Sequence, residues 1–448
     1  MAEMISRTWI ARRIAVALAR DLLAGTWNRR ALLRRAKSVL GLRAPKALAR
    51  LIGGVPDQTG TSYPPSPAQL TLILTRSPEF ETASGAAAKA IHRLPAVPKP
   101  PKFAPAPRFA GLDIPRLTTE GDLAAWLGLS AEHLEWFADQ RRQQVRTVNA
   151  ILQHYDYVFV PKSSGPPRLV EAPKPKLKAL QRRILREILD KLPPHDCAFG
   201  FVAGRSCLDA AQQHAGEANV IALDLKDFFA GTPLKRVHGI FRSFGYPWAV
   251  ARNLTDLCST ATPEAVFMRL PRDKRHDWAT RRLYQTRHLA QGAPTSPALA
   301  NFAAWGLDAR LQGLAARLGC HYTRYADDLA FSGDGELAGR PGRLSNAIEA
   351  IVADEGYRLN AGKTRVMRTG RRQRLTGVVV NEHVNVPRTA FDCLKAILHN
   401  CVTHGPVSQN RAGAADFRAH LDGRIAWVEQ VNPPRGEKLR AIYDLIAW

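Results

Sequence analysis

The chain has 448 residues, 45% of them hydrophobic, and 64 Lys and Arg against 39 Asp and Glu give a formal net charge of +25. That length and apolar content exclude a disordered chain and suffice for two or three domains, while the charge points to a polyanionic partner, nucleic acid first and an anionic membrane second. Six cysteines, none before Cys197 and none in a Cys-x-x-Cys pair, exclude a zinc ribbon or disulfide scaffold and fit a reducing cytosol. No run of 18 apolar residues exists to span a membrane, and the N-terminus lacks a signal-peptide core, so the expected location is cytoplasmic.

Residues 1–52 read as basic amphipathic helices. Ile10, Ile14, Leu18 and Leu22 recur at i+4 with Arg7, Arg12, Arg13 and Arg20 interspersed, and Arg29, Arg30, Arg34, Arg35 and Lys37 follow on a second helix. RNA contact, plain helical packing and a membrane-surface helix all fit this pattern. Gly53 to Pro67 reads as a loop and Leu70 to Thr75 as a short strand. The proline-rich stretch 95–115 reads as an extended linker, where the main domain boundary is expected. Thr119 with Asp122 then suits a helix N-cap, and Ser130 caps a second helix through Leu134 and Phe137. Tyr155–Val160 and Arg168–Ala172 read as a hairpin around the turn Ser163–Pro167, and Lys176 to Leu192 as a basic amphipathic helix.

Three later stretches carry candidate chemistry. Val220-Ile-Ala-Leu-Asp224 is an apolar strand ending in an acid, which is costly to bury unless a cation or metal pairs with it. Gln291-Gly-Ala-Pro-Thr-Ser-Pro297 opens a helix that includes Ala298 to Gln312, with Ser296 as the cap before Pro297. Thr323 to Ser332 reads as a hairpin with Asp327 and Asp328 at the tip of a tight turn. Strand side chains alternate, so one acid faces a cleft and the other lies near the turn. Singly, these stretches fit a strand-end ion pair, a loop-to-helix start and a solvated turn. Together, Asp224 and Asp327 can share two divalent ions about 3.5–4 Å apart, the arrangement that phosphoryl transfer uses.

In that order, Asp224-Leu-Lys-Asp-Phe-Phe229, Gln291-Gly-Ala-Pro-Thr-Ser-Pro297 and Tyr325-Ala-Asp-Asp328 resemble motifs A, B and C of reverse transcriptases. Gly356-Tyr-Arg-Leu-Asn360 with Gly362-Lys363-Thr364 resembles motif D, and Lys162, Gly165, Arg168, Pro173, Leu177 and Gln181 resemble the fingers segment. Within the family the chain is similar to the bacterial retron type. Leu375-Thr-Gly377 resembles its Val-Thr-Gly stretch with Leu for Val, and Ala210-Ala-Gln-Gln-His214 its Asn-Ala-x-x-His element with Ala for Asn. On its own, His214 reads as a helix-surface residue. The resemblance spans 118–448 and implies an α+β right-hand polymerase with fingers, palm and thumb, preceded by a basic, mainly helical N-terminal extension. The implied domains are the extension at 1–94, the linker at 95–115, fingers and palm at 116–386 and a helical thumb at 387–448. In that thumb Phe417, Leu421, Ile425, Trp427 and Val428 form an apolar face, and Arg418, His420, Arg424, Arg435, Lys438 and Arg440 a basic one.

The same resemblance implies roles. Asp224 and Asp327 become ligands of two Mg2+ ions, with Asp328 as a supporting acid and the Leu225 carbonyl as a further ligand. Phe229 becomes the gate against a ribose 2′-hydroxyl. Lys162 and Arg168 hold the dNTP triphosphate, Gln291 and Gly292 line the nascent base pair and template, and Tyr325 packs at the primer terminus. Lys363 acts as general acid toward pyrophosphate, and Arg424 and Lys438 belong to the template clasp. The implied activity is synthesis of single-stranded DNA (msDNA) on a cognate noncoding RNA, primed from a guanosine 2′-hydroxyl, in antiphage defence. The implied partners are that RNA, its DNA product, host RNase H, because no room for such a domain remains before Trp448, and an effector protein. The rivals are another reverse transcriptase lineage (defence-associated, diversity-generating or group II intron-like) and a non-catalytic RNA-binding protein of the same fold. Missing intron modules disfavour the intron type, and the intact acids disfavour the non-catalytic protein.

Overall fold

The computed structural model describes residues 14–23, 29–40, 50, 52, 65–80, 101–147, 149–162, 165–334 and 341–448. Its contacts divide the chain into two units, Met1–Leu192 with Pro233–Ser296 and Pro193–Thr232 with Pro297–Trp448. Both mix helices with antiparallel strands. Among the described residues no helix is long and apolar enough to cross a membrane.

In the first unit the N-terminal residues are helical over 14–23 and 29–40. Leu18, Leu22, Leu32, Ile52, Leu70, Leu74 and Phe80 close an apolar core against which Trp248 packs. Ile10, Arg7, Arg12, Arg13 and the loop 53–64 lie outside the described residues. The strand expected at Leu70–Thr75 is instead part of a helix, Pro67–Arg76. Its start is locked by a capping box: Ser66 Oγ accepts the Gln69 amide at 3.1 Å and Gln69 Oε1 accepts the Ser66 amide at 3.0 Å. Leu70 and Leu74, one turn apart, are fully buried, and cap plus burial override the strand preference of the neighbouring Thr and Ile residues.

The described part of the proline-rich stretch, 101–115, is irregular but for a 3-10 turn at Pro107–Phe109, and it is strapped down. Ala104 and Ala106 donate to the Gly245 and Ser243 carbonyls at 2.9 and 2.8 Å. Phe103 and Phe109 meet Tyr246 and Phe244 edge-on at 5.4 and 5.1 Å. The stretch thus lies inside the first unit. Thr119 and Ser130 cap the helices Glu120–Leu127 and Ala131–Ala138 as read from sequence. Strands β1 (Tyr155–Val160) and β2 (Arg168–Pro173) pair antiparallel, Val160 opposite Arg168. Ser163 and Ser164 of the turn lie outside the described residues. The basic helix follows at Pro175–Glu187, and its buried Gln181 donates to Tyr155 Oη and the Leu257 carbonyl.

In the second unit β3 (Asn219–Asp224), β4 (His321–Tyr325), β5 (Asp328–Gly333) and β6 (Arg365–Arg368) form a sheet in the order β4-β5-β3-β6. A hairpin of β7 (Arg374–Leu375) and β8 (Val378–Val379) follows. The helix opened by the 291–297 loop runs Ser296–Ala303, breaks at Ala304 and resumes as Trp305–Arg317, so the continuous helix expected over 298–312 is two. Nor does Ser296 cap it. Ser296 already stands inside the first turn, and its buried Oγ has no hydrogen-bond partner among the described residues. At the C-terminus the helices Arg388–His404, Phe417–Val431 and Pro433–Tyr443 enclose Leu394, Leu398, Leu421, Ile425, Val428 and Leu439. Trp427 departs from the expected apolar face and stays 38% exposed. Arg440 leaves the expected basic face, because Asp422 and Glu429 neutralise it at 2.5 and 2.9 Å.

Candidate active site

Asn219 and the four apolar residues Val220 to Leu223 carry β3 to Asp224 at its end, and the sheet register sets Asp224 directly opposite Asp328. Tyr325 pairs with Asp328 in turn. Opposed residues of antiparallel strands share a face, so Tyr325, Asp328 and Asp224 stand in a row on one face. The turn itself holds Ala326 and Asp327, not Asp327 and Asp328: Asp328 is the first residue of β5. The correction follows from register, because pairing Tyr325 with Asp328 leaves two residues to turn the chain. Asp327 is tied to the end of β3 by its carbonyl, which accepts the Leu225 amide at 2.8 Å. Among the described residues the Leu225 carbonyl accepts no hydrogen bond, which leaves it available to a ligand.

Ala326 adopts φ +57°, a left-handed conformation that costs a non-glycine residue energy and persists only where neighbours enforce it. One such neighbour is Gly200, where a Cβ would lie 2.3 Å from the Ala326 amide nitrogen. The other is Arg324, the largest fully buried side chain among the described residues. Its Nη1 donates to the Ala326 carbonyl at 3.1 Å and to Asn301 Oδ1 at 2.8 Å, and Asn301 Nδ2 donates to the Gly200 carbonyl at 2.9 Å. Asp308 neutralises Arg324 through two bonds, Nε to Oδ1 at 2.8 Å and Nη2 to Oδ2 at 2.6 Å, and Tyr322 Oη donates to the same carboxylate. Sequence reasoning missed this network. Its one signal was an arginine in strand alternation with Tyr322, on the face that the helix carrying Asp308 covers.

The acids repel one another. Burial, then Asp327 and Asp224, push the Asp328 carboxyl up to about 6, against Lys363 and Arg365. Lys363 Nζ lies 2.7 Å from Asp224 Oδ1 and Asn360 Nδ2 3.1 Å from Oδ2, so both Asp224 oxygens are held. That hydrogen bond raises the Lys363 pKa above its ordinary value. Among the described residues no three His, Cys, Asp or Glu side chains are already gathered around one point. The donor chemistry nonetheless suits a hard divalent cation: Asp224 and Asp328 lie at facing strand ends with Asp327 in the adjoining turn, and the repulsion that raises Asp328 is what such an ion relieves.

The other expected residues fall in different places. Phe228, not Phe229, is the core aromatic, buried with the Arg324 guanidinium 5.6 Å above its ring. Phe229 is half-buried against Phe201, ring centroids 5.9 Å apart. Tyr325 lines a pocket beside Asp328 with Thr323, Arg365, Arg374 and Thr376, floored by Ala210 and other alanines. Thr376 Oγ1 donates to the Cys207 carbonyl at 3.1 Å, which ties the Leu375–Gly377 stretch to the first residue of the helix Cys207–Gln212 that carries Ala210. His214 is not on a helix surface. It is fully buried, its ring nitrogens 2.7 Å from Ser332 Oγ and from Thr323 Oγ1, and burial drives its pKa down to about 3. Arg424 is half-buried and Lys438 exposed, on the two C-terminal helices. In the first unit Lys162 and Arg168 are exposed at the two ends of the β1–β2 turn, and the Gln291 carbonyl accepts the Glu171 amide at 2.8 Å.

Residues 160–391 match the family model described as reverse transcriptase (RNA-dependent DNA polymerase). The chain is similar to the retron Mx65 reverse transcriptase of Myxococcus xanthus, 40% identical over 338 residues that cover 74% of this chain and 73% of that protein. To the retron Mx162 reverse transcriptase of the same organism it is 38% identical over 336 residues, 71% of this chain and 65% of that protein. To the retron Ec86 reverse transcriptase of Escherichia coli it is 31% identical over 266 residues, 58% of this chain and 75% of that protein.

Proposed function

We propose, because this chain belongs to the reverse transcriptase family and to its retron type, that it copies a cognate structured noncoding RNA into single-stranded DNA at the Asp224–Asp327–Asp328 site. The observation that carries the reading is the direct opposition of Asp224 and Asp328 with Asp327 in the adjoining turn. Two Mg2+ ions held by these carboxylates and the Leu225 carbonyl would supply charge neutralisation at the primer hydroxyl and the leaving pyrophosphate.

The remaining work falls to the chain's own residues. Lys363 and Asn360 hold Asp224 in place, and Lys363 stands near enough to the acids to hand a proton to pyrophosphate. Phe229 gates the sugar, Tyr325 supports the primer end, and Lys162, Arg168 and Gln291 bind the nucleotide. Gly292, Arg424 and Lys438 contact template and primer. In this reading residues 116–386 serve as fingers and palm, 387–448 as thumb, and 1–94 as an extension that binds RNA or an effector. Priming from a guanosine 2′-hydroxyl, removal of template by host RNase H and a cytoplasmic role in antiphage defence belong to the same proposal and rest on kinship with retron enzymes.

The test is primer extension on an RNA template with dNTPs and Mg2+. Wild type makes full-length DNA, and Asp224→Asn and Asp327→Asn each make none while retaining the wild-type circular dichroism spectrum. Full-length DNA from either variant overturns the assignment. Sequencing the nucleic acid that copurifies with the protein tests the retron reading: a branched RNA–DNA molecule supports it, and its absence refutes it.

A further inference from the structure

Two ionisable side chains of the first unit are fully buried and unused by the chemistry above. Glu171 on β2 and His288 expose no side-chain surface, and Glu171 Oε2 lies 2.7 Å from His288 Nε2. The other Glu171 oxygen accepts from Thr262 Oγ1 at 2.6 Å, and His288 Nδ1 lies 2.8 Å from the Thr286 carbonyl. Both ring nitrogens thus face acceptors, an arrangement that a doubly protonated imidazolium satisfies. Burial opposes that charge, but the Glu171 carboxylate and the Thr286 carbonyl outweigh it and hold the His288 pKa above its ordinary value. The other groups facing the pair are the Tyr284 ring at 5.0 Å, the neighbouring Arg287, itself paired with Asp256, and Tyr155 and Tyr157 of β1.

An ion pair in a dry interior is weak evidence for stability, since an apolar pair of similar volume often does as well. What this pair does is fix its surroundings. The Glu171 amide donates to the Gln291 carbonyl at 2.8 Å. Gly292, at φ +134°, brings the backbone so close that an added Cβ would lie 2.8 Å from the Glu171 carbonyl oxygen. One residue therefore holds the 288–292 segment at three points: His288 by charge, Gln291 by a backbone bond and Gly292 by contact. On the same strand, β2, Arg168 lies three residues before Glu171.

We propose that the Glu171–His288 pair is a positioning device that fixes the Gln291–Gly292 loop to the Arg168 hairpin and thereby sets the affinity for the incoming deoxynucleotide far more than the grip on template and primer, which Gly292 shares with Arg424 and Lys438. The inference rests on the reading of Arg168 and Gln291 as nucleotide contacts.

The experiment measures kcat and KM for dNTP, and Kd for an RNA–DNA duplex by anisotropy, in wild type, Glu171→Gln, His288→Gln and the double variant. Each single variant raises KM about tenfold, the double variant no further, and duplex Kd rises by less than about twofold. In wild type KM rises as pH climbs above the ordinary histidine range through the His288 titration, and both single variants lose that inflection. An unchanged KM in folded variants, or a rise in duplex Kd parallel to KM, overturns the proposal. Should the variants fail to fold, the conservative Glu171→Asp takes their place, and an unchanged KM in that variant overturns the proposal as well. Binding of a fluorescent dNTP analogue separates the two readings: a wild type that binds nucleotide but makes no DNA refutes the polymerase reading, while the variants' nucleotide Kd still tests the pair.

Discussion

Asp308→Asn removes the counter-charge of Arg324 and keeps the side-chain shape. Neither partner exposes any side-chain surface. The loss therefore leaves a guanidinium uncompensated in the interior, which costs about 3–5 kcal/mol where buried pairs have been broken. Hydrogen exchange of the β4 and β5 amides reads the cost locally, without assuming that a chain of two units unfolds in one step. At roughly 1.4 kcal/mol per decade the protection of these amides should fall by about two to three and a half decades. The tandem replacement Asp308→Leu with Arg324→Met removes both charges and should restore most of that protection. It should not restore DNA synthesis, because the Ala326 carbonyl and Asn301 then lose their donor and the turn before Asp327 is released. A loss of protection under tenfold in Asp308→Asn would refute the buried-charge argument. Wild-type synthesis by the tandem variant would show that the pair merely packs.

Other perturbations follow from the same geometry. Gly200→Ala forces a Cβ within 2.3 Å of the Ala326 amide, so the turn must shift and extension should fall by about a hundredfold, read by single-turnover kinetics. Phe229→Ala should let ribonucleotides compete with deoxynucleotides, and an unaltered ratio of the two kcat/KM values would refute the gate. Asp328 has a folded pKa raised to about 6 from 3.8, so its ionisation costs the fold stability as pH rises through that interval. Asp328→Asn should accordingly raise the melting temperature in EDTA at pH 7.5 and leave it unchanged at pH 3.5. Replacing Arg365 and Arg374 by Gln should lower the slope of log K against log salt for nucleic acid by roughly 1.4 to 1.8, if both contact phosphates. An unchanged slope would place both side chains in solvent alone.

Much of the framework was legible because its causes are local. Thr119 and Ser130 announce helix starts because a short polar side chain satisfies the first amides of a helix wherever it occurs. The apolar run to Asp224 and the alternation around Tyr155 and Leu169 gave strands for a similarly local reason. Leu70 to Thr75 failed because its residue types suit a strand, while the Ser66–Gln69 box and a distant core decide for helix. The break at Ala304 and the outward turn of Trp427 are likewise set by what the helices pack against.

By itself the amino-acid order marked the candidates for the chemistry: the acids, the loop before Pro297 and the basic hairpin, each recognisable from its own few neighbours. The tertiary structure alone decided how residues within each unit meet. Strand pairing and burial put Asp224 opposite Asp328, Ala326 in the turn, Arg324 against Asp308 and Glu171 beside Gln291. The physical reason is that register and burial are properties of surfaces brought together, and a one-residue slip that leaves every local pattern intact would send each side chain to the opposite face.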